Sequence, residues 1–315
     1  MAKLTEGVAN FPATANDIYG LIETLIIQNI RSVKSANRLE DAYTLYDRTE
    51  DTGMVVEEAV IEKAKSYAFD KNAFDKTPKD PTLHVKYFKD YEAKQYGVTV
   101  RRNDIRKVLS SKSMDDVEGI ASKIIDTLTQ GEGADEFKEM RNGLYKATFK
   151  DYSTVVLGGN VPLNLKGVIY AAREMYNHLI GDNSDMTGTE FESSTAPENV
   201  RIAISEKLLD LIDVKELADT FNLSKEEMFG KIVKVTTTDL TEHANDYVIY
   251  VYDKNALIEL TRLREYSQDI SGKGLFTNHY LTVERMYAHC DLFKGCKLDC
   301  SKAANAALAE LIGAK

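Results

Sequence analysis

The chain has no tryptophan, little cysteine and no long apolar run, and each shortage removes a class of protein. Its three cysteines, Cys290, Cys296 and Cys300, all lie in the last twenty-six of 315 residues. An odd number so placed does not lay out the disulfide framework of a small secreted domain. The opening MAKLTEGVANFPATANDIYG lacks a basic start followed by an apolar stretch, so no signal peptide is expected. The most apolar early run, residues 21–30, contains Glu23 and is shorter than the roughly 20 residues a membrane-spanning helix needs. A cytoplasmic product with no membrane segment is the simplest expectation. Basic charge is also short: 40 Lys and Arg against 50 Asp and Glu leave a formal net charge of −10. That argues against a general nucleic-acid binder, which carries a net basic domain, and fits solubility through self-repulsion. In place of tryptophan there are 17 tyrosines, which bury area while keeping a polar tip suited to semi-wet interfaces.

Catalytic signatures are missing as well. There is no nucleophile elbow, metalloprotease motif or dinucleotide fingerprint. Gly272, Lys273 and Gly274 in DISGKGLF lack the spacing and terminal Lys-Ser/Thr of a phosphate loop and read as a turn. His279, His289, Cys290, Cys296 and Cys300 are residue types that bind zinc. Their Cys-x5-Cys-x3-Cys spacing lacks the short paired knuckle of a zinc site, and buried thiols are the commoner outcome. His289 and Cys290 are sequence neighbours, so on a strand they face opposite ways and do not form a nucleophile–base pair. Asp115–Asp116 and Glu226–Glu227 are helix-start charges, and His243 sits in a polar loop sequence. No cofactor is expected. A metal-dependent cytoplasmic enzyme built on the 279–300 region is the alternative from a different class, and stoichiometric zinc would mark it.

What is present starts with a long charged ribbon over residues 53–108. MVVEEAVIEKAKSYAF ascends, KNAFDKTPKDPT forms a tip bearing Pro78 and Pro81, and LHVKYFKDYEAKQYGVTV returns. The ascending run reads as strand or as helix. The returning run has the stronger β character, with Val85, Tyr87, Phe88, Tyr91, Tyr96, Val98 and Val100. A two-stranded ribbon is marginal in water by itself, so this one needs a surface to lie on, and other subunits are the expected source. The segment from Leu83 to Val108 is predominantly basic. Arg101, Arg102, Arg106 and Lys107 form its densest cluster, read as intersubunit salt-bridge residues rather than a nucleic-acid site.

The chain is 43% hydrophobic, enough for a real core. Residues 17–30 carry Ile18, Leu21, Ile22, Leu25 and Ile26 at helical spacing, after an extended arm. Residues 113–130 are the clearest helix, with Ser113 as cap, Asp116 three residues on, and a stripe of Val117, Ile120, Ala121, Ile124, Ile125 and Leu128. Gly131 and Gly133 interrupt the pattern before a second stretch over 134–149, and the two could form one long, bent helix. Residues 166–180 are helical up to Gly181, and 181–199 read as a polar surface loop or mobile insertion. From Val200 the texture is α/β. VRIAIS, KIVKVTTT and a central, buried DYVIYVYD read as strands, and GLFTNHYLTVERMYAHCDLF as a long strand. EKLLDLIDVKELADTF, LSKEEMFG, KNALIELTRLREYSQ and an alanine-rich tail over 301–311 read as helices.

This order of elements resembles the major capsid proteins of tailed double-stranded DNA bacteriophages, with the local texture closest in DYVIYVYDKNALIELTRL and GLFTNHYLTVERMYAHCDLF. The resemblance implies an α+β tailed-phage major capsid fold. Its parts would be an N-terminal arm over 1–46, an extended β-loop and its base over 47–108, and a long spine helix region of the peripheral domain over 109–156. An axial domain over 157–263 and a return to the peripheral domain with the C-terminal tail over 264–315 would complete it. It implies a structural shell protein rather than an enzyme, forming hexamers and pentamers of an icosahedral virion capsid assembled in the host bacterial cytoplasm. The shell would enclose double-stranded DNA without sequence-specific binding. A separate scaffolding protein and a portal protein are the expected partners, since the chain opens almost directly on the arm. Some relatives join a lysine and an asparagine covalently between subunits. Lys71, Lys76 and Lys79 lie near the tip, but noncovalent locking is expected here. The candidate contacts between neighbours are Lys76, Lys79, Lys86, Lys89, Arg101 and Arg102 on the ribbon and its base, and Asp115, Asp116 and Glu118 on the helix. A single exposed ion pair contributes only about 0–1 kcal/mol, so repetition around a shell must supply the strength. The nearest alternative is the shell of a cellular nanocompartment with the same fold and a protein cargo.

Overall fold

A computed structural model describes residues 15–30, 32–33, 39–47, 56–64, 82–101, 103, 105–106, 110, 114–152, 164–188, 191–212, 232–235, 247–271 and 276–313. The arm before residue 15, the proline-bearing tip, Ser113, His243 and the 223–230 stretch lie outside them.

The axis of the structure is α2 (Met114–Lys146), a single helix of 33 residues, ~50 Å long at 1.5 Å per residue. It runs straight through Gly131 and Gly133, which the sequence marks as interruptions. Each glycine costs about 1 kcal/mol in a helix interior. The gain at Gly131 is closeness: a Cβ there would lie 3.4 Å from the Tyr96 ring. The N-terminal half of α2 buries Val117, Ala121, Ile124, Ile125 and Leu128 against α1 (Ala15–Ile30) and the inner face of a four-stranded sheet. The C-terminal half buries Met140 and Leu144 against one face of a five-stranded sheet.

The four-stranded sheet has the order β1-β9-β10-β4, comprising β1 (Thr44–Asp47), β9 (Leu257–Ser271), β10 (Phe276–His289) and β4 (Glu92–Arg101). β1 runs parallel to β9, and the other pairings are antiparallel. The five-stranded sheet has the order β5-β11-β8-β6-β7, from β5 (Lys150–Asp151), β11 (Gly295–Asp299), β8 (Val248–Asp253), β6 (Val200–Ser205) and β7 (Ile232–Val235). β8 is its central strand, as its unbroken aromatic and β-branched sequence predicts. Ile249 and Val251 face a core with α3 (Leu165–Ile180) and α5 (Ser301–Gly313), while Tyr250 and Tyr252 face α2. A short helix, α4 (Glu206–Leu209), follows β6.

Three expectations change. In KNALIELTRLREYSQ only KNA is helical, as a 3-10 turn; from Leu257 on the stretch is strand, because β9 pairs along its length with β10. Its Glu259 and Arg264 are buried and partnered inside the fold. The returning run of the ribbon is split. Only β3 (Leu83–Phe88) pairs with β2 (Val56–Ile61), in six residue pairs, whereas β4 joins β10. Within the ascending run Val56–Ile61 is therefore strand, and this part of the ribbon has intrachain support. The 181–199 segment is seated rather than loose, with Met186, Thr187, Phe191 and Thr195 buried. β9 spans residues 257–271, and β11 lies between β5 and β8 in the five-stranded sheet.

Tyr43 shows how tightly these layers meet. It is fully buried and its hydroxyl donates to the Met140 carbonyl, while a Cβ at Gly143 would lie 2.6 Å from that hydroxyl. Gly143→Ala should therefore destabilise by about 1–3 kcal/mol, against the gain alanine gives an ordinary helix position. Urea unfolding should show a smaller loss for the same change in a Tyr43→Phe background. Equal losses in the two backgrounds would remove the hydroxyl as the cause.

Candidate functional site

Two features stand out, a buried ion network that fixes the body and a ribbon that the body presents. The network begins with a β-bulge. The β9–β10 register shifts between Glu284 and Arg285, so that Leu263 opposes Glu284 and Thr261 opposes Arg285. The extra residue is Arg262. A bulge re-aims side chains by changing the parity of the strand, and here it brings Thr261 and Arg264 to one face, beside Arg285. Glu132 meets both arginines from α2. Arg264 Nε donates to its Oε1 at 2.9 Å and Nη2 to its Oε2 at 2.8 Å, and Arg285 Nη2 donates to Oε1 at 2.6 Å. Arg285 also contacts Glu136 at 2.9 Å, Glu259 at 3.3 Å and the Thr261 hydroxyl at 3.1 Å. Burial pushes the Arg285 guanidinium down, but the carboxylates of Glu136, Glu132 and Glu259 outweigh it and hold the pKa above its usual value.

Arg264 reaches further. Its guanidinium donates to the carbonyls of Ile30 and Val33 at the end of α1. A cation there satisfies orphan carbonyls and faces the negative end of the helix dipole. One residue thus joins α1, α2 and β9. At the rim, Lys94 of β4 pairs with Glu139 at 3.0 Å and lies 3.9 Å from Asp135. Burial lowers the Lys94 pKa, and these two acids more than reverse that. The acidic side of α2 is therefore met by a basic β4 residue of the same chain.

The ribbon has two unlike faces, since directly paired residues share a side. Inward, Phe88 is buried, Val60 packs beside it, and the Tyr46 hydroxyl donates to Glu58 at 2.7 Å. The His84 ring stacks on Phe191 at 4.6 Å, and Lys86 pairs with Asp291 at 2.7 Å. Outward lie Glu57/Tyr87, Ala59/Val85 and Ile61/Leu83. Tyr87, Ile61 and Leu83 are 62%, 62% and 55% exposed, so five of six outward positions are apolar or aromatic and most of them are bare.

Among the residues expected to touch neighbours, Lys86 is engaged within its own chain, in the pair just described. Lys89 is exposed just after β3, and Arg101 is exposed at the end of β4 opposite Phe276. Asp115 and Asp116 are exposed in the first turn of α2, and Glu118 is half-buried. Lys76, Lys79 and Arg102 lie outside the described residues. The sequence reading missed Glu132, Glu136, Glu259, Arg264 and Arg285, and it missed the outward apolar side of the ribbon. Strict alternation in LHVKY was the available signal for the latter.

The histidine and cysteine cluster takes a different form from a metal site. The three cysteines are free and buried, and burial pushes the Cys290 thiol up to about 11 and those of Cys296 and Cys300 higher. His279 hydrogen-bonds the Tyr266 hydroxyl through Nδ1 at 2.6 Å, and His289 the Thr148 hydroxyl at 3.2 Å. Among the described residues, no group of three or more His, Cys, Asp or Glu is placed to hold a metal ion, and no helix is long and apolar enough to cross a membrane.

The family model of the Phi29-like phage major capsid protein matches residues 1–297. Two solved structures share the fold: the capsid structure of Staphylococcus phage Andhra, and the structure of head fiber and inner core protein gp22 of native bacteriophage P68. The matches have TM-scores of 0.61 and 0.56. Each is at 12% identity with 85% of both chains covered. No protein among the curated sequences matches the chain.

Two predictions follow from the buried charges. Glu132→Gln should cost about 3–5 kcal/mol in urea unfolding, because it leaves two buried guanidinium groups short of their acid. Arg262→Gln, which breaks the more exposed pair with Glu284, should cost about 1 kcal/mol or less. Equal costs would deny the network its special weight. Burial lowers His279 to about 4, and burial with the nearby Lys86 lowers His289 to about 4. A folded pKa below the unfolded value of 6.5 means the unfolded chain takes up protons first, so stability is full above pH 6.5 and is lost as pH falls toward 4. The urea midpoint should drop between pH 6.5 and 5, above the main carboxylate range, and drop less in His279→Gln. A flat midpoint over that interval would contradict it.

Proposed function

Because the chain belongs to the Phi29-like phage major capsid protein family, we propose that it is the repeating subunit of an icosahedral head, arranged as hexamers and pentamers around double-stranded DNA. The ribbon carries this reading. Its inward side is bound to the body by stacking, ion pairs and a small core, while its outward side leaves Ile61, Leu83 and Tyr87 bare. Apolar area contributes roughly 25 cal/mol per Å² when removed from water. A row of such side chains on a projecting two-stranded element is therefore suited to closing on a second copy. Lys89 and Arg101, exposed nearby, would add charge complementarity and register rather than most of the strength.

The division of labour follows the two sheets. The four-stranded sheet with α1 and α2 serves as the peripheral unit, and the five-stranded sheet with α3 and α5 as the axial unit about which copies gather. Each contact is weak alone, and a closed shell multiplies it. The net charge of −10 suits an inner surface that must not adhere to packaged DNA, so binding there is not sequence-specific. A separate scaffolding protein and a portal protein are the partners proposed for closure in the host cytoplasm.

The ribbon face provides the test. Replacing Ile61, Leu83 and Tyr87 together by Asp, Asp and Ser should leave subunits whose urea midpoint is near wild type, because those side chains are exposed. The same subunits should stay as small species in sedimentation where wild type forms closed particles. Particles of normal size from the triple variant would sink this reading.

A further inference from the structure

Part of the ribbon's inward side meets one segment, formed by the limbs 181–188 and 191–195, while Glu58 meets Tyr46 and Phe88 packs in a cluster with β9 and β10. The limbs are tied to each other by two backbone hydrogen bonds between Asn183 and Ser193, at 3.2 and 3.1 Å. The segment is inserted between the two sheets. Met186 lies in the core of the five-stranded sheet, and Phe191 in the cluster that covers β9 and β10. Gly188 N–H donates to the Asp291 carbonyl at 2.9 Å, and Gly295 N–H to the Met186 carbonyl at 3.0 Å. Gly188 has no room for a side chain, since a Cβ there would lie 2.6 Å from that of Asp291.

Lys294 closes the arrangement from below. It is 1% exposed, and its ammonium donates to the His178 carbonyl at 3.3 Å, the Gly181 carbonyl at 2.6 Å and Asn183 Oδ1 at 3.0 Å. It thus satisfies carbonyls at the end of α3 and the root of the segment together. Burial pushes its pKa down to about 8, with Asp182 and Asp185 opposing and Lys63 adding to the fall. An ammonium kept under such desolvation, bonded only to neutral acceptors, is costly to hold; its removal takes the Lys294 donor from Asn183 Oδ1 and leaves the His178 and Gly181 carbonyls to the Asn183 side-chain amide alone.

The ribbon touches this segment at both strands. Lys63, just past β2, reaches Asp182 at 2.7 Å and the Ser194 hydroxyl at 3.2 Å. His84 of β3 stacks on Phe191, and Lys86 pairs with Asp291, the residue that also receives Gly188. We infer that this segment is the ribbon's seat and that Lys294 is a positioning residue that holds the seat in place, so that it directs how the ribbon leaves the body. The described part of the ribbon has six residue pairs, and an isolated two-stranded element is marginal in water. The seat supplies part of its order. The consequence for shells rests on the ribbon being the intersubunit surface proposed above: the seat would set the angle at which one copy reaches the next.

Hydrogen exchange on unassembled full-length subunits separates the two ideas. Phe191→Ala and Lys294→Met should each speed exchange at least tenfold in peptides covering 56–61 and 83–88, with 248–253 in the body unchanged. Lys63→Ala removes an exposed ion pair and should change ribbon exchange by less than about threefold. If Lys294→Met loosens 181–188 while the ribbon keeps its wild-type protection, the seat does not hold the ribbon and the inference fails. Should Lys294→Met not fold, Phe191→Ala decides alone, since wild-type ribbon protection in that variant is equally fatal. A loosened ribbon that still builds normal shells would count against the ribbon's part in assembly and leave the seat intact.

Discussion

The fold depends on one carboxylate, Glu132, held between two guanidinium groups in the interior. Side chains of Glu132, Arg264 and Arg285 are 3%, 6% and 9% exposed. Charges so deep are tolerated only when each has a partner and the remaining donors are satisfied. That condition links elements far apart in sequence. α2 supplies Glu132 and Glu136, the β9–β10 hairpin supplies both arginines and Glu259, and the end of α1 supplies two carbonyls. Such a network selects one arrangement more than it adds stability, because any other register of the hairpin leaves a buried charge unpaired. The bulge at Arg262 belongs to the same constraint. It places Arg264 inside, and it sends Arg262 outside, where it pairs with Glu284 at 2.7 Å and lies over the Tyr91 ring at 4.5 Å.

With the hairpin fixed, the rest of the body follows. β10 carries β4 on one side, which brings the ribbon's root to the body, and its last residues lead to the turn that holds Asp291 and Lys294. From there the 181–195 segment takes its place between the sheets, and the ribbon lies on it with its apolar side turned outward. The chain therefore keeps charge where geometry must be unique and leaves apolar surface where another molecule is to be met. This is the reverse of an ordinary monomer's surface, where large bare apolar patches are uncommon.

Much of the core was legible in the sequence. The stripe Val117–Ile120–Ala121–Ile124–Ile125–Leu128, the α1 positions from Ile18 to Ile26 and the unbroken β8 strand fell where periodicity put them. The arrangement of long helix, charged ribbon and late strand pointed to the family that the match over residues 1–297 then showed. The misreadings share a cause. Residues 257–271 carry Glu and Arg among their apolar residues, and nothing local reveals that Arg264 is buried against Glu132, more than a hundred residues away, or Glu259 against Arg285 across the hairpin. Gly131 and Gly133 read as breaks because propensity is local, whereas the close approach of Tyr96 is tertiary. The polar stretch after Gly181 read as a loose loop because its anchors, Phe191 and Lys294, act across the fold. The returning run looked like one strand because its β character is continuous, while its halves belong to different sheets.

The central claim is that the outward side of the ribbon is a subunit interface. It is tested most directly by cryo-electron microscopy of the particles formed by the wild-type protein. The account predicts closed shells in which Ile61, Leu83 and Tyr87 are covered by another copy of the chain. Shells in which those three side chains face solvent, or a protein that stays monomeric under all assembly conditions, would contradict it.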